Sequence, residues 1–159
     1  MVNVVKNILS VMVFVFLLMG NICFASISKD DLVLGNIHYG DSLVQVESSY
    51  GSPDKETLTM KHPLWNGIIR EARYGKGFLV TYRNGNVIFI QSFEDNNGIE
   101  TGKGLSVGMS TEDAINLYGE PDVKYLRHWI WETDGNEGLS ISFDNNTNEI
   151  FFISVGALD

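Results

Sequence analysis

The chain is short of cross-links and of positive charge. It holds one cysteine, three prolines and 11 Lys+Arg against 20 Asp+Glu in 159 residues, a net charge of -9. A single cysteine excludes a disulfide scaffold. The scarcity of base argues against nucleic acid as a partner, because phosphate contacts need a basic face. The apolar run nearest to membrane-spanning type is about a dozen residues long, whereas a bilayer helix needs about 20. What is present, 44% hydrophobic residues, excludes a wholly disordered chain. The length suits one domain of ordinary size or two very small ones.

Residues 1–25 differ in composition from the rest. Lys6 is their one charge, Ile8 to Met19 is apolar apart from Ser10, and Gly20-Asn21 precedes Cys23-Phe24-Ala25. A basic start, an apolar middle and a small residue before the cut form the layout of a secretory signal peptide, so cleavage is expected after Ala25 and the protein is expected outside the cytoplasm. Lipidation at Cys23 is the lesser reading, since Ile22 stands where a small residue is wanted. Membrane contact is expected only if this segment is retained or lipidated. The mature chain then holds no cysteine, and with Lys6 gone 10 Lys+Arg remain against 20 Asp+Glu, a net charge of -10. Such an acidic chain is expected to be a soluble monomer.

Self-comparison finds two similar segments. At a constant offset of 68, Gly40, Ser42, Tyr50, Gly51, Pro53 and Asp54 fall on Gly108, Ser110, Tyr118, Gly119, Pro121 and Asp122. Ser42 and Ser110 are the residue type of a helix N-cap, with Gln45 and Asp113 at the capping-box position. Gly51 and Gly119 suit the left-handed residue that ends a short helix, and the prolines follow where a helix could not continue. Strand patterns come next: Phe78 to Arg83, an Asn84-Gly85 turn and Val87 to Phe93; then Leu139 to Phe143, a polar turn from Asp144 to Asn148, and Ile150 to Val155. Lys55 to Lys61, Ile68 to Tyr74 and Val123 to Trp131 read as further strands. The expectation is an α+β fold of two tandem pseudo-repeats, 33–95 and 99–156, each a short helix followed by an antiparallel sheet.

The segment Gly-Met-Ser-Thr-Glu-Asp-Ala-Ile-Asn-Leu-Tyr-Gly-Glu-Pro-Asp (108–122) and the strands after it resemble the helix-then-sheet repeat of the beta-lactamase inhibitor protein and of small outer-membrane assembly lipoproteins of the SmpA/OmlA type. The tandem layout is also similar to two-repeat secreted bacterial proteins. The first resemblance implies a sheet that grips another protein; the second implies a lipid anchor and a membrane-complex partner. The matched residues are capping and turn residues, so the resemblance carries fold rather than activity.

Catalytic signatures are missing. There is no Gly-x-Ser-x-Gly, no His-Glu-x-x-His and no thiol after cleavage. Gly75-Lys76-Gly77 and Gly102-Lys103-Gly104 lack the continuation of a phosphate loop and read as turns. Asp144, Asn146 and Asn148 match the first ligand positions of a calcium loop, but Glu149 and Val155 stand where Gly and Glu are required. No cofactor and no metal are expected. His38, His62 and His128 are scattered and read as single exposed side chains.

A second echo, at an offset of 66, joins Lys61, His62 and Trp65 to Arg127, His128 and Trp131. Alternate residues share a strand face, so cations and tryptophans are expected side by side, as binding patches require. The alternative places the tryptophans in the core under the cations, and for at least one of them that reading is preferred. The candidate binding residues are therefore Lys61, His62, Trp65, Arg70, Arg73, Arg127, His128, Trp129 and Trp131. The expected function is that of an exported, non-catalytic binding module that recognises a protein or cell-envelope component through its sheet face. The alternative is an envelope-anchored accessory of outer-membrane or cell-surface assembly.

Overall fold

In the computed structural model, residues 27–60, 66–94 and 97–158 are described. The signal peptide and its cleavage point lie outside these residues.

Ten strands, two α-helices and a one-turn 3-10 helix (Lys29–Asp31) lie among the described residues. A small hairpin, β1 (Val33–Leu34) and β2 (Ile37–His38), turns through Gly35 and Asn36, both at positive φ. Helix α1 (Leu43–Tyr50) leads to β3 (Lys55–Thr59), β4 (Ile69–Tyr74), β5 (Phe78–Arg83) and β6 (Asn86–Ser92). Helix α2 (Thr111–Tyr118) leads to β7 (Val123–Tyr125), β8 (His128–Glu132), β9 (Glu137–Phe143) and β10 (Ile150–Ala157).

Both helices form for the reason their sequences give. The Ser42 hydroxyl accepts from the Gln45 N–H at 3.3 Å while Gln45 Oε1 accepts from the Ser42 N–H at 2.8 Å. Ser110 and Asp113 repeat this reciprocal box at 3.2 and 2.9 Å. Gly51 and Gly119 end the helices at φ 76° and 78°, a region costly for a residue with a Cβ. Past each helix a carboxylate then ties the chain to the sheet: Asp54 accepts from Gly75 N–H at 2.6 Å and Asp122 from Glu132 N–H at 2.8 Å.

The expected α+β fold of two tandem pseudo-repeats, each a short helix followed by an antiparallel sheet, is corrected. The fold is mostly β, with two short helices on one continuous eight-stranded antiparallel sheet of order β3-β4-β5-β6-β10-β9-β8-β7. The physical reason is the central pairing of β6 with β10, from Ile153 opposite Ser92 to Gly156 opposite Phe89. The similar segments encode caps and turns, which are local; they do not encode where a sheet stops.

A second correction is local. The strand expected over Val123 to Trp131 is broken into β7 and β8 by a turn in which Leu126 takes φ 49°.

The pairing registers sort the sheet into two faces. Ala72, Val80, Ile90, Val155, Leu139 and Trp131 stand opposite one another across six strands, all buried. They form the core with Val46 of α1 and Ala114 and Tyr118 of α2, so both helices lie on this face. Side chains of this size contribute roughly 1.5–3 kcal/mol each when fully buried. One residue along, on the opposite face, Lys55, Arg73, Leu79, Gln91, Ser154, Ser140, Ile130 and Val123 form a row through all eight strands. Among the described residues no helix packs on that open face.

Candidate functional site

The open face spans seven strand spacings, roughly 34 Å. Its centre is shallow, with Ser140 and Ser154 buried beside Gly138 and Gly156. Phe89 leans over Gly156, where an added Cβ would lie 2.8 Å from its ring. Phe152 stands on the other side of the serine row, half-exposed and opposite Ser142, which is opposite His128, which is opposite Tyr125. The face is therefore a trough of small residues between phenylalanines.

The structure divides the candidate residues between the two faces. Lys61, His62 and Trp65 lie outside the described residues. Trp131 points to the helices, is 1% exposed and donates its indole N–H to the Gly119 carbonyl at 2.9 Å. Trp129 packs edge-on against Phe143 at 4.9 Å, with Lys124 Nζ 4.8 Å from its ring centre. Arg70 also faces the helices and binds Glu47 of α1 at 3.0 Å and Glu56 of β3 at 2.7 Å. These three lie on the helix side of the sheet.

Arg73, His128 and Arg127 are placed differently. Arg73 is on the open face, its guanidinium 5.4 Å from the Phe93 ring centre. His128 Nδ1 lies 3.1 Å from Ser142 Oγ on that face. Arg127 sits in the turn before β8, 5.7 Å from the Phe151 ring centre, away from Trp129 and Trp131. Phe93 and Phe151 line one cavity of about 660 Å³ at the end of the sheet, together with Glu94, Asp144 and Glu149.

The faces differ in how their cations are neutralised. Lys29, Arg70, Lys103 and Lys124 each hold a carboxylate, at 2.9, 2.7, 3.0 and 2.6 Å. Among the described residues, Lys55, Arg73, Lys76, Arg83 and Arg127 are in no ion pair. Lys55, Arg73 and Arg83 all lie on the open face, as their partners Arg73, Leu79 and Ile69 show. Sequence reasoning named Arg73 and missed Lys55 and Arg83, because the face each occupies depends on pairing register.

The glycine-flanked lysines are in turns. Lys103 binds Asp31 and covers the Tyr118 ring at 4.7 Å; Lys76 occupies the β4–β5 turn, with Gly75 and Gly77 at φ 57° and 68°. Asp144 accepts from the N–H groups of Asn146 and Thr147 at 2.7 and 3.2 Å, and these bonds hold its carboxyl below the ordinary value. Among the described residues no group of three or more His, Cys, Asp or Glu is arranged to hold a metal.

No family model matches the chain. No curated protein matches it. Among solved structures it is similar to a cysteine-rich secretory protein from Staphylococcus aureus, with a TM-score of 0.50 and 9% identity, over 74% of this chain and 44% of that one. The chain thus spans less than half the length of that protein, and at this identity the likeness shows the fold alone.

Proposed function

We propose that the protein is an exported, non-catalytic binding module that recognises a protein or cell-envelope component through the open face of its sheet. The observation that supports this reading most is the contrast between faces: one is closed by two helices with its cations paired, while the other presents half-exposed phenylalanines and unpaired cations. Strands of three to eight residues across a face roughly 34 Å wide offer about 600–700 Å², close to the roughly 800 Å² that one side of a standard interface occupies. Arginine and aromatic side chains are the types that dominate interface energies. The signal-peptide pattern in residues 1–25 supports export.

The test is site-specific photo-crosslinking in the producing cell. A photoreactive residue at Phe152 should give a discrete adduct identifiable by mass spectrometry, and one at Glu112 on α2 should give none. Adducts from Glu112 with none from Phe152 would overturn the reading.

A further inference from the structure

We propose that the edge of β3, unpaired among the described residues, accepts an extended strand of a partner protein, with acidic side chains alternating with apolar ones. The inference rests on the binding-module reading and names the chemistry of the partner.

The sheet has two edges, β3 and β7. Strand β7 has only three residues, and the chain turns back at Leu126 directly after it. A very short edge is one way in which proteins discourage strand addition. Strand β3 has five residues, pairs on one side with β4, and is exposed along most of its length. Leu58 is 56% and Met60 64% exposed, so the edge is apolar on its helix-side face.

The open-face side of the same edge carries the charge. Lys55 stands directly opposite Arg73, while Arg83 lies at the other end of the strands, opposite Ile69. Like charges directly opposite on a sheet destabilise it, yet among the described residues neither Lys55 nor Arg73 is in an ion pair in a chain with 20 acidic residues. Glu71 is on this face, two residues from Arg73, and pairs with neither. On the reverse of the same strand Arg70 holds two carboxylates. The chain neutralises its core-side arginine and leaves the edge cations for another molecule.

A strand added beyond β3 would lie about 4.8 Å away, with facing side chains about 4.5–5.5 Å apart. Its alternate positions would face Lys55, Thr57 and Thr59, where an acid finds Lys55 and Arg73. The intervening positions would face Glu56, Leu58 and Met60, where Glu56 is held by Arg70, which it shares with Glu47, and apolar residues find Leu58 and Met60. Backbone bonds supply affinity in this mode and side-chain alternation supplies selectivity. A second copy of the chain is the poorer occupant, since each copy carries a net charge of -9.

The test is an amide NMR titration of the isotope-labelled chain to millimolar concentrations of a synthetic strand-forming peptide in which Glu alternates with Val, and of its Lys-for-Glu counterpart. The Glu peptide should shift amides grouped on Lys55 to Met60, and the Lys peptide should not. The Lys55→Glu/Arg73→Glu variant, both positions being exposed, should bind the Glu peptide about tenfold more weakly and come to prefer the Lys peptide. Leu58→Asn should weaken binding without altering charge selectivity. The proposal is overturned by an absence of shifts on β3, by equal response to both peptides, or by self-association through β3. Silent peptides with a persistent Phe152 adduct sink the edge proposal alone. Peptide binding at β3 with no Phe152 adduct sinks the open-face reading and leaves the edge standing.

Discussion

Arg70 and Arg73 lie three residues apart on one strand and face opposite sides of the sheet, the first between two carboxylates and the second with none. Strand geometry produces the separation, because an odd spacing reverses the face. Packing then sets the consequence. Arg70 lies beneath α1, where an unpaired guanidinium would be costly, while Arg73 lies where water and Phe93 suffice.

The two arginines should therefore differ on truncation. Arg70→Ala leaves Glu47 and Glu56 without their shared partner and should cost about 1–2 kcal/mol, tempered by their partial exposure. Arg73→Ala should change stability by less than about 0.5 kcal/mol. Urea unfolding of the two variants checks the contrast, and equal losses would refute the division of faces.

Trp131 should behave as core. Trp131→Ala removes the side chain that fills the space between Tyr118 and Trp129 and should cost about 3–5 kcal/mol. Trp131→Phe keeps much of the volume but leaves the Gly119 carbonyl without its donor, for about 1–3 kcal/mol. A shift in melting temperature under about 2 °C for the alanine variant would be too small for a core residue.

The caps should respond differently to acid. Hydrogen bonds from the Ser110 hydroxyl and backbone hold the Asp113 carboxyl below its ordinary 3.8. Its folded-state value is thus depressed, so its contribution is present above 3.8 and lost as the pH falls through the lower folded value. Gln45, in the equivalent place on α1, carries no charge to titrate. Asp113→Asn should therefore flatten part of the acid limb of the stability curve, and Gln45→Ala should only lower the curve. Ser42→Ala and Ser110→Ala should each cost about 1 kcal/mol at neutral pH.

Alkali should act through buried phenols. Burial raises Tyr82, Tyr118 and Tyr50 above the ordinary 10.0, with Tyr82 further raised by its Tyr74 neighbour. For a group whose folded value is raised, the stabilisation is complete below the unfolded value and is lost as the pH climbs towards the folded one. Phenolate absorbance should thus leave these three silent until the chain unfolds, with unfolding beginning above pH 10. Ionisation of all six tyrosines in the folded state would contradict the burial.

How much of this could be read in the sequence depends on how local the cause was. Both helices were legible because Ser42 with Gln45, Ser110 with Asp113, and Gly51 and Gly119 are sufficient signals within ten residues. The Asn84-Gly85 hairpin was legible for the same reason. The break at Leu126 carried no signal, since leucine is not a residue that turns favour. That break also moved Arg127 off the strand, so the expected grouping with Trp129 and Trp131 did not form. Fusion into one sheet depends on Ile153 meeting Ser92, a contact between distant segments that no periodicity records. The open face, with Lys55 beside Arg73, exists only once those registers are set.

The most direct test of the open-face account is hydroxyl-radical footprinting of side chains in the free chain and in the complex recovered through the Phe152 adduct. Oxidation of Phe93 and Ile130 should fall on binding, while that of Leu43, Leu117 and Tyr39 on the helix side should stay unchanged. Protection of the helix-side group with the open face still oxidised would contradict it.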